Sequence, residues 1–167
     1  EFRRVLFRSG WPQWRGPDGQ GHATAHDLAV TWGEAENVTW KTPLEGRGWS
    51  SPVIDERLVW MTTAVERQAD DAERATRLAD NKNNQPVDVA TAVTMRALAV
   101  DRDSGAIVHD VELFTVDQPQ PIHKLNSYAS PTPVLAGDRL YCHFGDYGTA
   151  CLDTQAAQVV WMRSEEH

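Results

Sequence analysis

Apolar residues fall in short runs rich in Val, Leu, Thr and aromatics, and clusters of turn-forming residues separate the runs. That is the pattern of half-buried strands. It predicts strands over residues 50–54, 58–64, 94–101 and 107–112, and again over 132–135, 139–144, 149–153 and 159–162. The predicted turns are Asp55-Glu56, Asp103-Ser104-Gly105, Ala136-Gly137-Asp138 and Gly145-Asp146-Tyr147-Gly148, all built from residues that tolerate tight backbone geometry. The segment 37–44, which contains Trp40, reads as one further outer strand ahead of the first set.

The two sets of strands are copies of one unit. Pro52-Val53-Ile54-Asp55-Glu56-Arg57-Leu58 aligns with Pro133-Val134-Leu135-Ala136-Gly137-Asp138-Arg139-Leu140. The stretch Leu98-Ala99-Val100-Asp101 aligns with Ala150-Cys151-Leu152-Asp153. Pro52 and Pro133 are 81 residues apart and Asp101 and Asp153 only 52, so the first copy carries an insertion, placed at 65–92. Within it, residues 66–80 are dominated by Ala, Glu and Arg and predict a surface helix. Leu78 is its one large apolar residue, so its docking should be weak. Four-stranded antiparallel units repeated at about 40–50 residues are the mark of β-propeller blades, which need neighbours to bury both faces.

Composition narrows the class. The 167 residues are 41% hydrophobic and 24% charged, with 11 Gly and 9 Pro, as in a folded globular chain. No apolar run approaches bilayer length, so no membrane span is expected. The net charge is −8 and no Lys/Arg stripe is present, which argues against nucleic acid as a partner. Seven Trp stand against three Lys, and the first Met is Met61.

Residues 5–9, Val-Leu-Phe-Arg-Ser, back-translate to GTG CTC TTC CGA TCT, whose reverse complement encodes Arg-Ser-Glu-Glu-His, the residues at 163–167. One DNA segment read on opposite strands accounts for both ends. Residues 1–9 and 163–167 are therefore expected to be translated sequencing adapter. On that expectation 10–49 is an N-terminal segment with an outer strand, 50–112 a blade with its insertion, 113–129 an inter-blade loop and 130–162 a second blade.

The run Ala97-Leu98-Ala99-Val100-Asp101, followed by Ser104-Gly105, together with Ala150-Cys151-Leu152-Asp153 and Trp161 eight residues on, resembles the pyrroloquinoline-quinone-type β-propeller repeats. Two details depart from that repeat: His109 stands where Trp is expected, and Ala156-Ala157 replaces Ser/Thr-Gly. Trp11-Pro12-Gln13-Trp14-Arg15-Gly16-Pro17 and Gly46-Arg47-Gly48-Trp49-Ser50-Ser51-Pro52 resemble a bacterial, exported branch of these proteins. The resemblance implies an all-β fold: about two four-stranded blades and a leading strand of a larger, seven- or eight-bladed ring with a WD40-like architecture. It also implies that Trp14, Trp32, Trp40, Trp60 and Trp161 pack between blades, that the remaining blades are partners, and that the location is periplasmic or extracellular.

Two loops enter the first strand of each unit, where a propeller places its channel. Arg47, Trp49 and Ser50 lie in one; His123, Lys124, Asn126, Ser127 and Tyr128 lie in the other. They offer an anion clamp, a stacking surface and neutral hydrogen-bonding groups, a mixture suited to a polar small molecule, a sugar or a quinone carboxylate. A polar rim that only solvates the channel mouth is the structural alternative. The stretch Asp101–Glu112 imitates a calcium loop, but the position that needs Gly holds Ala106, and a hairpin turn reads better. With Asp146-Tyr147 as a two-residue tip, Cys142 falls directly opposite Cys151. A disulfide in an oxidising compartment and two small buried thiols are both open.

No nucleophile signature is present, and His22, His26, His109, His123 and His143 lack metal-ligand spacing. Asn37-Val38-Thr39 forms a glycosylation sequon. The leading expectation is a non-catalytic exported module that binds a polar small molecule or a protein partner. The second is part of a quinoprotein dehydrogenase, with pyrroloquinoline quinone and Ca²⁺ as cofactors.

Overall fold

The structure, a computed structural model, describes residues 10–24, 28–82 and 85–164. His26, residues 1–9 and residues 165–167, on which parts of the sequence reading fall, lie outside the described residues. The chain is mostly β and its sheets are antiparallel.

Strands β1 (Val53–Ile54), β2 (Leu58–Gln68), β4 (Ala90–Asp101) and β5 (Ile107–Asp117) form one four-stranded sheet in the order β1-β2-β4-β5. Strands β7 (Val134–Ala136), β8 (Arg139–His143), β9 (Thr149–Asp153) and β10 (Gln158–Arg163) form a second, in chain order. The helix α1 (Asp71–Arg77) and β3 (Val87–Asp88) interrupt the first meander between its second and third strands; β3 pairs with β6 (Ile122–His123) in a small separate sheet.

One core lies between the two large sheets. Cross-strand partners share a face, so Trp60 with Ala99 and Ala64 with Met95 present one apolar surface. Leu140 with Leu152 and Cys142 with Ala150 present the other. All eight residues belong to one buried cluster. The N-terminal segment ties the innermost strands together: Trp11 and Ile54 exchange backbone hydrogen bonds of 2.7 and 2.8 Å, and Leu135 N donates to the Pro12 carbonyl at 2.7 Å.

The insertion is partly sheet. Strands β2 and β4 stay paired as far as Gln68 and Ala90, well beyond the predicted strand ends, because the ladder satisfies backbone groups whatever the polarity of the side chains. Only Asp71–Arg77 is helical, with Asp70 Oδ1 accepting the Glu73 N–H as its N-cap. Polar bonds dock the helix. Arg74 donates to the Val87 carbonyl at 2.6 Å, and Arg77 donates to the carbonyls of Ala90 at 2.6 Å and Pro119 at 2.5 Å.

One further expectation changes. Residues 37–44 form no strand; they are pinned at the 101–106 turn, where Trp40 Nε1 donates to the Arg102 carbonyl and Thr42 Oγ1 to that of Gly105. Of the five Trp residues expected between blades, Trp60 alone is buried. Trp14 is 58% and Trp32 71% exposed, and the Trp14 ring stacks under Arg15. His109 stacks on Trp60 at 5.8 Å, covering the indole from the edge strand.

Candidate functional site

The Asp146-Tyr147 hairpin sets the geometry around the second sheet, and it is one residue longer than expected. Gly145–Tyr147 form a 3₁₀ turn, and Phe144 N donates to the Gly148 carbonyl. The three-residue loop shifts the register, so that Cys142 faces Ala150 and Cys151 faces Tyr141. Neighbouring positions on a strand point to opposite faces, so the two thiols lie on opposite sides of the sheet. The direct Cys142–Cys151 pairing is thereby corrected: both cysteines are free and buried. Burial pushes the Cys142 thiol up to about 12.

The two predicted loops do meet. Trp49 and Ser50 both direct their backbone N–H groups at the Ala129 carbonyl, at 3.1 and 3.2 Å. Ser127, buried, donates its hydroxyl to the Arg47 carbonyl at 2.8 Å and accepts the Ala129 N–H at 3.0 Å. Ser50 Oγ lies 3.3 Å from both the backbone N and the carbonyl of Thr62. His123 accepts the Leu125 N–H on Nδ1, and Lys124, exposed, uses its backbone N–H on the Pro86 carbonyl.

Arg47 is taken up inside the protein. Its guanidinium grips both oxygens of Glu66, at 2.9 and 3.1 Å, and reaches Asp88 at 3.0 Å. The Glu66 side chain is 6% exposed and that of Arg47 29%. Burial by itself would lower the Arg47 pKa; hydrogen bonds to Asp88 and Glu66 more than offset it, and the net shift is upward. Where an anion clamp was expected, the structure has an internal ion-pair lock joining the 46–50 loop to β2 and β3. Trp49 stays 57% exposed beside it.

Asn126, Ser127 and Tyr128 line a cleft of about 520 Å³ together with Gln120, Phe144, Asp146 and Tyr147. Tyr128 is buried and donates its hydroxyl to the Gln120 carbonyl at 2.6 Å, while Tyr147 accepts the Gln120 N–H at 3.1 Å. The two rings meet edge to face at 5.9 Å. Burial raises both phenol pKa values, so both stay protonated. Asn126 Oδ1 accepts from Ser127 N and Ser130 Oγ, which leaves its amide N–H₂ directed away from those bonds. Sequence reasoning used Asp146 and Tyr147 only as a hairpin tip; a Tyr between Gly145 and Gly148 was the signal that the tip carries more than a turn.

A second cleft, of about 560 Å³, is walled by Trp11, Pro17, Ile54 and Arg102. Among the described residues, no three His, Cys, Asp or Glu side chains converge as a metal site. No helix among them is long and apolar enough to cross a membrane. No protein-family model matches the chain. Comparison with curated proteins likewise found no match.

Proposed function

We propose that the two sheets are consecutive blades of a larger β-propeller, exported to the periplasm or beyond, whose role is to bind a polar small molecule or a protein partner without catalysis. One observation carries this reading: the two meanders repeat the same strand order and pack face to face, with Arg57–Asp101 of the first matched by Arg139–Asp153 of the second. The far face of the second sheet supports it. Tyr141 and Trp161 contact each other there, 37% and 40% exposed, beside Val134, as a sheet awaiting another layer would have them.

The dehydrogenase reading requires pyrroloquinoline quinone, a tricarboxylate, together with Ca²⁺. The described residues do not fit that pair. Glu66 and Asp88 are taken up in neutralising the guanidinium at the inner loops, and among the described residues no group of three or more His, Cys, Asp or Glu side chains could hold a divalent ion. The test is a dye-linked redox assay and a melting curve on the purified protein with added quinone and Ca²⁺. No dye reduction and no rise in Tm are expected. Quinone-dependent dye reduction would overturn the binding reading in favour of the enzyme.

A further inference from the structure

The cleft beneath the Gly145–Tyr147 turn has a chemistry of its own. Asp146 is the one carboxyl side chain among the lining residues, which include no Lys, Arg or His, and burial raises both phenol pKa values. The rest of the polar wall is neutral: the Gln120 and Asn126 amides and the Tyr147 hydroxyl, whose oxygen accepts the Gln120 N–H. Phe144, buried against Phe114, and the Tyr147 ring supply an apolar floor. Two guanidiniums act from behind the cleft without lining it: Arg47 is neutralised by two carboxylates, and Arg77, whose charge both tyrosines sense, donates to the Ala90 and Pro119 carbonyls. An anion entering this cleft would face Asp146 without a compensating cation among the lining residues, in a chain whose net charge is −8.

From these groups we propose that the cleft binds an uncharged polyhydroxylated ligand of mono- to disaccharide size. This deepens the binding role put forward above and rests on it. The carboxylate accepts from ligand hydroxyls, the two primary amides can donate to them, and an aromatic floor matches the C–H face of a ring. The volume lies within the range of small-molecule sites. Gln120 and Asp146 are exposed and set binding, whereas Tyr128 positions the Gln120 backbone from below.

The experiment is a calorimetric titration of the full chain with glucose, maltose and myo-inositol, and with citrate as the anionic comparator. At least one neutral polyol should bind saturably at one site, and Asp146→Asn and Gln120→Ala should each weaken it about tenfold, the scale of one hydrogen bond to a polar or charged group. Both variants should melt with the wild type, since both side chains are exposed. Citrate binding without polyol binding would overturn the ligand class and leave the binding role standing. Polyol binding that ignores both substitutions would overturn the site. Binding of none of the four would overturn the proposal itself, whereas quinone-dependent redox activity is the result that removes the underlying binding role.

Discussion

Arg139 opens β8 and donates to Asp153, the last residue of β9, at 2.7 Å; in the first sheet Arg57 reaches Asp101 at 3.3 Å from the matching position. In each unit the second carboxylate oxygen closes the following turn. Asp101 Oδ1 accepts from Ser104 N, Ser104 Oγ and Asp103 N, and Asp153 Oδ1 accepts from Gln155 N and Ala156 N. One side chain thus shapes the hairpin between the third and fourth strands and latches it to the second.

That double duty has a pH signature. The Ser104 backbone N–H, followed by its hydroxyl, holds the Asp101 carboxyl down at about 2, and the Ala156 N–H lowers that of Asp153. A carboxyl depressed on folding stabilises the fold above its unfolded pKa of about 3.9 and loses that contribution as pH falls through the folded value. Asp101→Ala should therefore lower Tm at pH 7, and the gap from wild type should close between about pH 4 and pH 2. A gap of equal size at both ends of that window would refute the latch.

Removing Arg47 strands a nearly buried carboxylate. Arg47→Ala should cost about 2–3 kcal/mol in denaturant unfolding, below the range for fully buried pairs because the Arg47 side chain keeps 29% of its exposure. Arg47→Lys should recover little, since an ammonium cannot bridge both oxygens of Glu66 and also reach Asp88. The paired change Arg47→Met with Glu66→Leu should recover most of the loss.

The cysteines offer a direct check of register. Thiol titration should find two free groups after denaturation and almost none in the folded state, because both are buried and Cys142 ionises only near 12. Treatment of the native protein with a mild oxidant should leave the intact mass unchanged. A loss of two hydrogens would place the thiols on one face and refute the 142–150 pairing.

Gly105 sits at φ +75°, and a methyl there would lie 2.5 Å from the Trp40 indole. Gly105→Ala should lose about 1–2 kcal/mol to the left-handed backbone alone, and more to the collision. Trp40→Ala in the same chain should remove the collision but not the backbone cost. A double-mutant cycle on thermal stability should therefore give a clear coupling between the two positions. Strict additivity would mean that Trp40 does not pack on the turn.

Much of this was legible along the chain. The aligned Pro-Arg-Leu and Leu-Asp segments mark the two four-stranded units, and the structure turns the aligned Arg and Asp into hydrogen-bonded partners. The loops that carry Arg47–Ser50 and His123–Tyr128 are joined by backbone and Ser127 hydrogen bonds. What escaped the reading was set by contacts remote in sequence. Glu66 and Asp88, 19 and 41 residues from Arg47, decide that its charge is internal. Residues 37–44 have the pattern of a strand, but among the described residues no strand pairs with them, and they are held at the 101–106 turn instead.

The sequence by itself determined the repeat, the antiparallel strands and the turns, because alternation and turn chemistry are local properties that each unit carries on its own. Tertiary structure alone decided the register at Gly145–Tyr147, the faces on which Cys142 and Cys151 lie, and the cleft that Gln120, Asn126 and Asp146 share. One additional residue in a turn flips every side chain beyond it relative to its partner strand. Pairing across strands, not the pattern within either one, selects between those two arrangements.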